Sequence, residues 1–144
     1  TKPPVDVTKL TTTQSAVEKA YAMSGLGPDD VGVLEVHDCF SITGLLMLEA
    51  CGFAGYGEGA AMVDDGKTNF GSDLPVNSSG GLIGFGHYTG GTGVRQCVDI
   101  IHQLTGKAGD CQAELKPSKP YGLMTSMGGN DKTVVAAIFS PVAD

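Results

Sequence analysis

The spacing of hydrophobic residues changes along this chain, and each change marks an element. In "TTQSAVEKAYAMSGLGPDD", residues 12–30, Ala16, Val17, Ala20 and Tyr21 recur at helical spacing, which predicts an α-helix. A Thr or Ser is available to cap its start, and Gly25 and Gly27-Pro28 stop it. "VGVLEV", 31–36, is a short apolar run of the kind a buried strand uses. "SITGLLMLEACG", 41–52, is apolar nearly all round and reads as a helix ended by Gly52. "LPVN", 74–77, predicts a short strand, and "GGTGVRQCVDIIHQLTG", 90–106, an amphipathic helix begun and stopped by glycines. "YGLMTSM", 121–127, and "TVVAAIF", 133–139, read as strands joined by a tight hairpin through "GGNDK". Residues 1–11 read as an extended lead-in and 53–73 as loop, with "DDGKT" a turn.

The predicted order is α-β-α-β-α-β-β in one domain, residues 1–144. Strands alternating with helices imply an α/β layer fold whose sheet is mixed but mostly parallel. Sites in such sheets gather at the carboxyl ends of strands. Three segments meet that description: 37–40, 78–91 and 126–130.

Composition narrows the function classes. A 41% hydrophobic, 17% charged chain of 144 residues can bury a real core. Its 22 glycines are roughly twice the usual share of about 7%. They cluster in 52–59, 80–93 and 128–129, as expected of loops that approach something closely. A net charge of −7 with no Lys/Arg run argues against a nucleic-acid partner. No apolar stretch has membrane-spanning length. Cys39, Cys51, Cys97 and Cys111 include no C-x-x-C pair, which favours reduced thiols in an intracellular protein. Cys51 and Cys97 read as small core residues, and the scattered His and Cys lack zinc-ligand spacing.

The most reactive side chains sit in "EVHDCF", 35–40, at the strand–helix junction. Cys39 reads as lying in the first turn of the following helix, where the dipole favours a thiolate. His37 stands two residues away, and a thiol with an imidazole can serve as nucleophile or acid/base. The bland reading is a buried thiol beside a helix start. His87 lies in "SSGGLIGFGHYTGGTGVRQ", where glycines on both sides let a ligand approach and the next helix points its N-terminus to the same region. It could donate to a developing oxyanion or take a proton from a thiol. The third glycine falls one residue late for a dinucleotide fingerprint. His102 reads as a surface or packing residue in mid-helix. "GGND" reads as a hairpin tip, or as backbone donors beside the other loops.

"HDCFS", "NSSGGLIGFGHYTGGTGVRQ" and "YGLMTSMGGND" together resemble the C-terminal half of thiolases, closest to the sterol-carrier-protein type. The likeness runs from about Thr12 to Phe139. It implies reversible Claisen condensation and thiolysis, with a coenzyme A thioester as substrate and no covalently bound cofactor. It also implies that His87 activates a nucleophilic cysteine and donates to the thioester oxygen. By the same resemblance His37 helps build that oxyanion site through a water, Cys39 moves the proton at the acyl α-carbon, and the Gly128 N–H helps form a second oxyanion site. Ser126 stands where other thiolases carry the C-x-G cysteine, Tyr88 where proline is usual, and Gly91 where alanine is common. The nucleophile belongs to the family's N-terminal half, which this sequence lacks, and the first strand of the C-terminal half is missing too. The resemblance therefore implies an N-terminal half or a full-length homo-oligomer as partner. It places the protein in peroxisome, mitochondrion or cytosol, where relatives occur. A sheet without that strand is expected to expose unpaired backbone. Two further readings stay open: a non-catalytic acyl-CoA or lipid-binding or protein-interaction module, and a free-standing Cys–His hydrolase.

Overall fold

The computed structural model describes residues 6–141. Among these, strand β1 (Val31–Glu35) runs parallel to β2 (Tyr121–Gly128), which runs antiparallel to β3 (Thr133–Phe139). Sheet order is β1-β2-β3, so parallel and antiparallel pairings are equal rather than mostly parallel. The difference from expectation lies at "LPVN". Leu34 N–H donates to Pro75 O (3.1 Å) and Asn77 N–H to Leu34 O (2.9 Å), which makes one parallel bridge, Leu34 to Val76, and no strand. Pro75 has no N–H to extend the ladder, and Asn77 turns the chain away at φ 49°. The unpaired backbone expected of a sheet that lacks a strand falls on β3, which among the described residues pairs only with β2 and ends the sheet. β1 pairs with β2 on one side, meets Val76 on the other, and is buried at all five positions.

Alternation along the strands splits the core into two layers. Leu34, Val36 and Leu123 pack with Val17 of α1 (Thr11–Ser24) and with Met47 and Leu48 of α2 (Ser41–Ala50). Val33 and Met124 pack with Ile100 of α5 (Thr92–Leu104) on the opposite face. Leu34, Met47, Ile100, Leu123 and Met124 are among the largest fully buried side chains. Each such burial contributes roughly 1.5–3 kcal/mol. Gly122 is required here, because a Cβ would lie 2.6 Å from Ile100 Cγ2. Cys51 is wholly buried, and burial pushes its thiol up to about 12, consistent with an inert core residue.

Two short helices fall where the sequence pattern showed only loop: α3 (Gly59–Asp64) and α4 (Gly81–Phe85). The cap of α1 also differs from expectation. No Thr or Ser side chain caps it. Instead Asp131, at the hairpin tip, accepts from Thr12 N–H (2.7 Å), Thr13 N–H (2.9 Å) and the Thr13 hydroxyl (2.7 Å). The "GGND" tip thus ties the far end of the sheet to the start of α1.

Candidate functional site

Strand alternation that sends Val33 towards α5 sends Glu35 and His37 the same way. On β2, Met124, Ser126 and Gly128 share that side. A cleft of about 460 Å³ opens there, lined by His37, His87, Cys97, Ser126 and Gly128 among others. Each of the three strand-end segments contributes to it.

His37 is 3% exposed, and its Nδ1 has no partner among the described residues. Burial holds its imidazole below the ordinary range, His87 adds to that effect, and Asp38 opposes it. The His37 and His87 rings meet edge to face, centroids 4.9 Å apart at 87°. His87 Nδ1 lies 2.7 Å from Thr92 Oγ1, whose hydroxyl donates to Tyr88 O at 3.2 Å. In the tautomer that suits a base, the Thr92 hydroxyl keeps donating to Tyr88 O and His87 Nδ1–H donates to Thr92 Oγ1. In the neutral ring, Nε2 then keeps its lone pair as a base.

Two side chains hold these loops together. Asn77 accepts from Val36 N–H (2.8 Å) and donates to Val36 O (3.2 Å). Asp38 accepts from Leu82 N–H (2.7 Å) at the start of α4. Gly81, at φ +59°, passes so close to the Asp38 carboxylate and the Asn77 amide that a side chain would collide with both.

Cys39 is not among the cleft-lining residues. Its Sγ lies 3.9 Å from Thr43 Oγ1. It precedes α2, whose N-cap is Phe40, so it is outside the first helical turn where the sequence suggested it. Gly128 closes β2, and its carbonyl accepts from Lys132 N–H at 3.2 Å. His102 is exposed in the last turn of α5. Sequence reading passed over Thr92, Asp38 and Asn77, and took Cys97 for a small core residue, whereas it is half-buried and lines the cleft. Thr92 alone had a readable signal: it starts a helix five residues after a glycine-flanked histidine. Among the described residues, no group of three or more His, Cys, Asp or Glu could hold a metal ion, and no helix is long and apolar enough to cross a membrane.

Comparison with known proteins adds three findings. Residues 3–141 match the thiolase C-terminal domain-like family. The chain is 42% identical over 135 residues to acetyl-CoA acetyltransferase of Methanothermobacter thermautotrophicus, covering 94% of this chain and 34% of that protein. It is 42% identical over 122 residues to human sterol carrier protein 2, covering 85% of this chain and 22% of that protein. The chain therefore spans about a third to a fifth of the length of these relatives. Among solved structures, an Ltp2-ChsH2(DUF35) aldolase superposes with a TM-score of 0.82 at 25% identity, over 96% of this chain and 34% of that one.

Proposed function

Since this chain belongs to the thiolase C-terminal domain-like family, we propose that it supplies the histidine and acid/base side of a composite acyl-CoA thiolase site. The observation that carries this reading is the His87–Thr92 bond, which leaves the His87 Nε2 lone pair free beside His37 in a cleft also lined by Ser126 and Gly128. Carbon–carbon chemistry next to a thioester needs a base for a thiol and donors for each oxygen that gains charge.

In this reading His87 takes the proton of a nucleophilic cysteine carried by an N-terminal half. The thiolate attacks the 3-keto carbonyl of a 3-ketoacyl-CoA, and the Cα–Cβ bond breaks. The departing enolate takes a proton from Cys39, whose thiol lies outside the cleft lining here and must turn towards it, and the acyl group left on the enzyme passes to coenzyme A. His37 and the Gly128 N–H serve the two oxyanions. A partner half is supported by the outer face of α5, where Val94, Val98 and Ile101 recur at i, i+4 and i+7 with exposures of 66%, 40% and 45%. A chain folded alone would be expected to place polar residues there.

The test is thiolysis of a 3-ketoacyl-CoA by the full-length enzyme, or by this chain reconstituted with an N-terminal half. His87→Ala is expected to lower turnover by about 10²–10⁴-fold. Near-normal turnover would remove His87 from its role.

A second reading is aldol cleavage, favoured by Tyr88, a phenol lining the same cleft beside His87, together with the likeness to an aldolase. Retro-aldol cleavage consumes no coenzyme A. A cleavage rate independent of added coenzyme A would select it over thiolysis.

A further inference from the structure

Beside Thr92 lies a small, partly open cavity of about 10 Å³, lined by Glu35, Leu82, Tyr88, Thr92, Arg95 and Gln96 among others. Two buried oxygens in this lining, Glu35 Oε1 and Gln96 Oε1, have no partner among the described residues. Glu35 and Gln96 are each 1% exposed, so bulk water does not serve them. The Gln96 amide is oriented by its Nε2, which donates to Thr125 O at 2.9 Å, and its Oε1 therefore requires a donor.

The donor bonds that the nearby side chains form run to other acceptors. Arg95 Nε donates to Asp99 (2.9 Å), one terminal nitrogen donates to Ser79 (3.3 Å), and the guanidinium stacks 4.0 Å over the Phe85 ring. The Thr92 hydroxyl donates to Tyr88 O, and the Tyr88 hydroxyl to Phe85 O. An ionised Glu35 would add only acceptors to an acceptor-rich pocket. A single proton turns it into the missing donor, and a cavity of this size has room for about one water.

We propose that Glu35 is held as a carboxylic acid that donates through one water in this cavity towards Gln96 Oε1, pinning the first turns of α5 to β1 and so positioning Thr92 and, through it, His87. Glu35 is a positioning residue in this arrangement; it touches no reacting atom. The charged groups facing it agree with the assignment. Burial pushes its carboxyl up to about 8, Asp99 of α5 and Asp38 after β1 reinforce the shift, and Arg95 opposes it. The proton on Glu35 stands independently of the proposed function. Its consequence for His87 rests on that function.

Infrared spectroscopy of this chain across pH 5 to 9 tests the proton directly. A protonated-carboxyl carbonyl band is expected at pH 7, lost with a midpoint near 8 and absent from Glu35→Gln. The variant is isosteric and carries a neutral donor, so it is expected to keep wild-type turnover at pH 7 in the full-length enzyme. The wild-type alkaline fall in turnover attributable to Glu35 should vanish in it. Absence of the band at pH 7 in the wild-type chain, where no mutation intervenes, overturns the assignment. A Glu35→Gln enzyme with an unchanged alkaline fall overturns the link to His87. An enzyme with no thiolysis at any pH would instead sink the proposed function, and the infrared band would still decide the proton.

Discussion

Substituting Asp131 with asparagine, alanine and glycine separates the contributions that join the hairpin tip to α1. Asp131 is 7% exposed and accepts from Thr12 N–H, Thr13 N–H and the Thr13 hydroxyl at 2.7 to 2.9 Å. At that burial water cannot replace it freely. Loss of an N-cap acceptor typically costs about 0.5–2 kcal/mol, and a stranded buried donor about 1–3 kcal/mol. Asp131 also sits at φ 62°, where a residue without a short polar side chain adds roughly 1 kcal/mol of strain. Together these place Asp131→Ala about 3–4 kcal/mol below wild type. Asp131→Asn keeps one acceptor and tolerates the backbone, so it should lose only about 1–2 kcal/mol. Asp131→Gly removes the cap but relieves the strain, and should fall about 1 kcal/mol short of the alanine loss. With urea slopes of about 1–3 kcal/mol per molar for small proteins, the alanine variant's midpoint should drop by more than about 1 M. Urea unfolding followed by circular dichroism reads all three. An alanine variant within about 0.5 kcal/mol of wild type would refute the cap, and a glycine variant less stable than alanine would refute the backbone strain at Asp131.

Thr92→Val should lower kcat by about an order of magnitude with little change in KM, since it leaves His87 Nδ1 without its acceptor, and Thr92→Ser should restore it. For Glu35 the folded carboxyl is raised from 4.5 to about 8, so between those values the folded state binds the extra proton. Stability should therefore be fully present below pH 4.5 and decline as pH rises to about 8, by roughly 5 kcal/mol at most. Urea midpoints of wild type minus Glu35→Gln at pH 5, 7 and 9 check it, and a difference that does not move with pH would contradict it. Cys39→Ser should slow exchange of the acyl α-proton by about 10²-fold, and Ser126→Ala should change it little. The reverse pattern would assign the proton transfer to the cleft-lining serine.

Elements with a strong local signal were legible in the sequence. Val31–Glu35, Ser41–Ala50, Thr92–Leu104 and both hairpin strands fall where hydrophobic period and glycine stops put them. What escaped has no such period. α3 and α4, of six and five residues, are too short to show one. The Asp131 cap spans 119 residues to Thr12, and no local motif announces a bond of that reach. The buried face of α5 is also misleading by composition. It carries Gln96 and Gln103 inward, each satisfying a backbone carbonyl, while Val94 and Val98 face out.

The candidate site was legible as far as strand parity reaches and no further. Positions 33, 35 and 37 point to one face because successive strand side chains alternate, which is why His37 shares the α5 side with His87. Counting by twos would add Cys39, but the chain leaves the strand first. Asp38 N–H bonds back to Val36 O at 3.1 Å, a tight turn that ends the alternation. Asp38 and Asn77 then hold the turned segment against residues 77–82. Parity thus accounts for His37, and a turn held by Asp38 and Asn77, far apart in sequence, decides where the thiol goes. The same alternation buries Glu35 between Val33 and His37. A run quoted for its histidine and cysteine therefore also carries the acid whose proton state reaches both α5 and the imidazole that α5 orients.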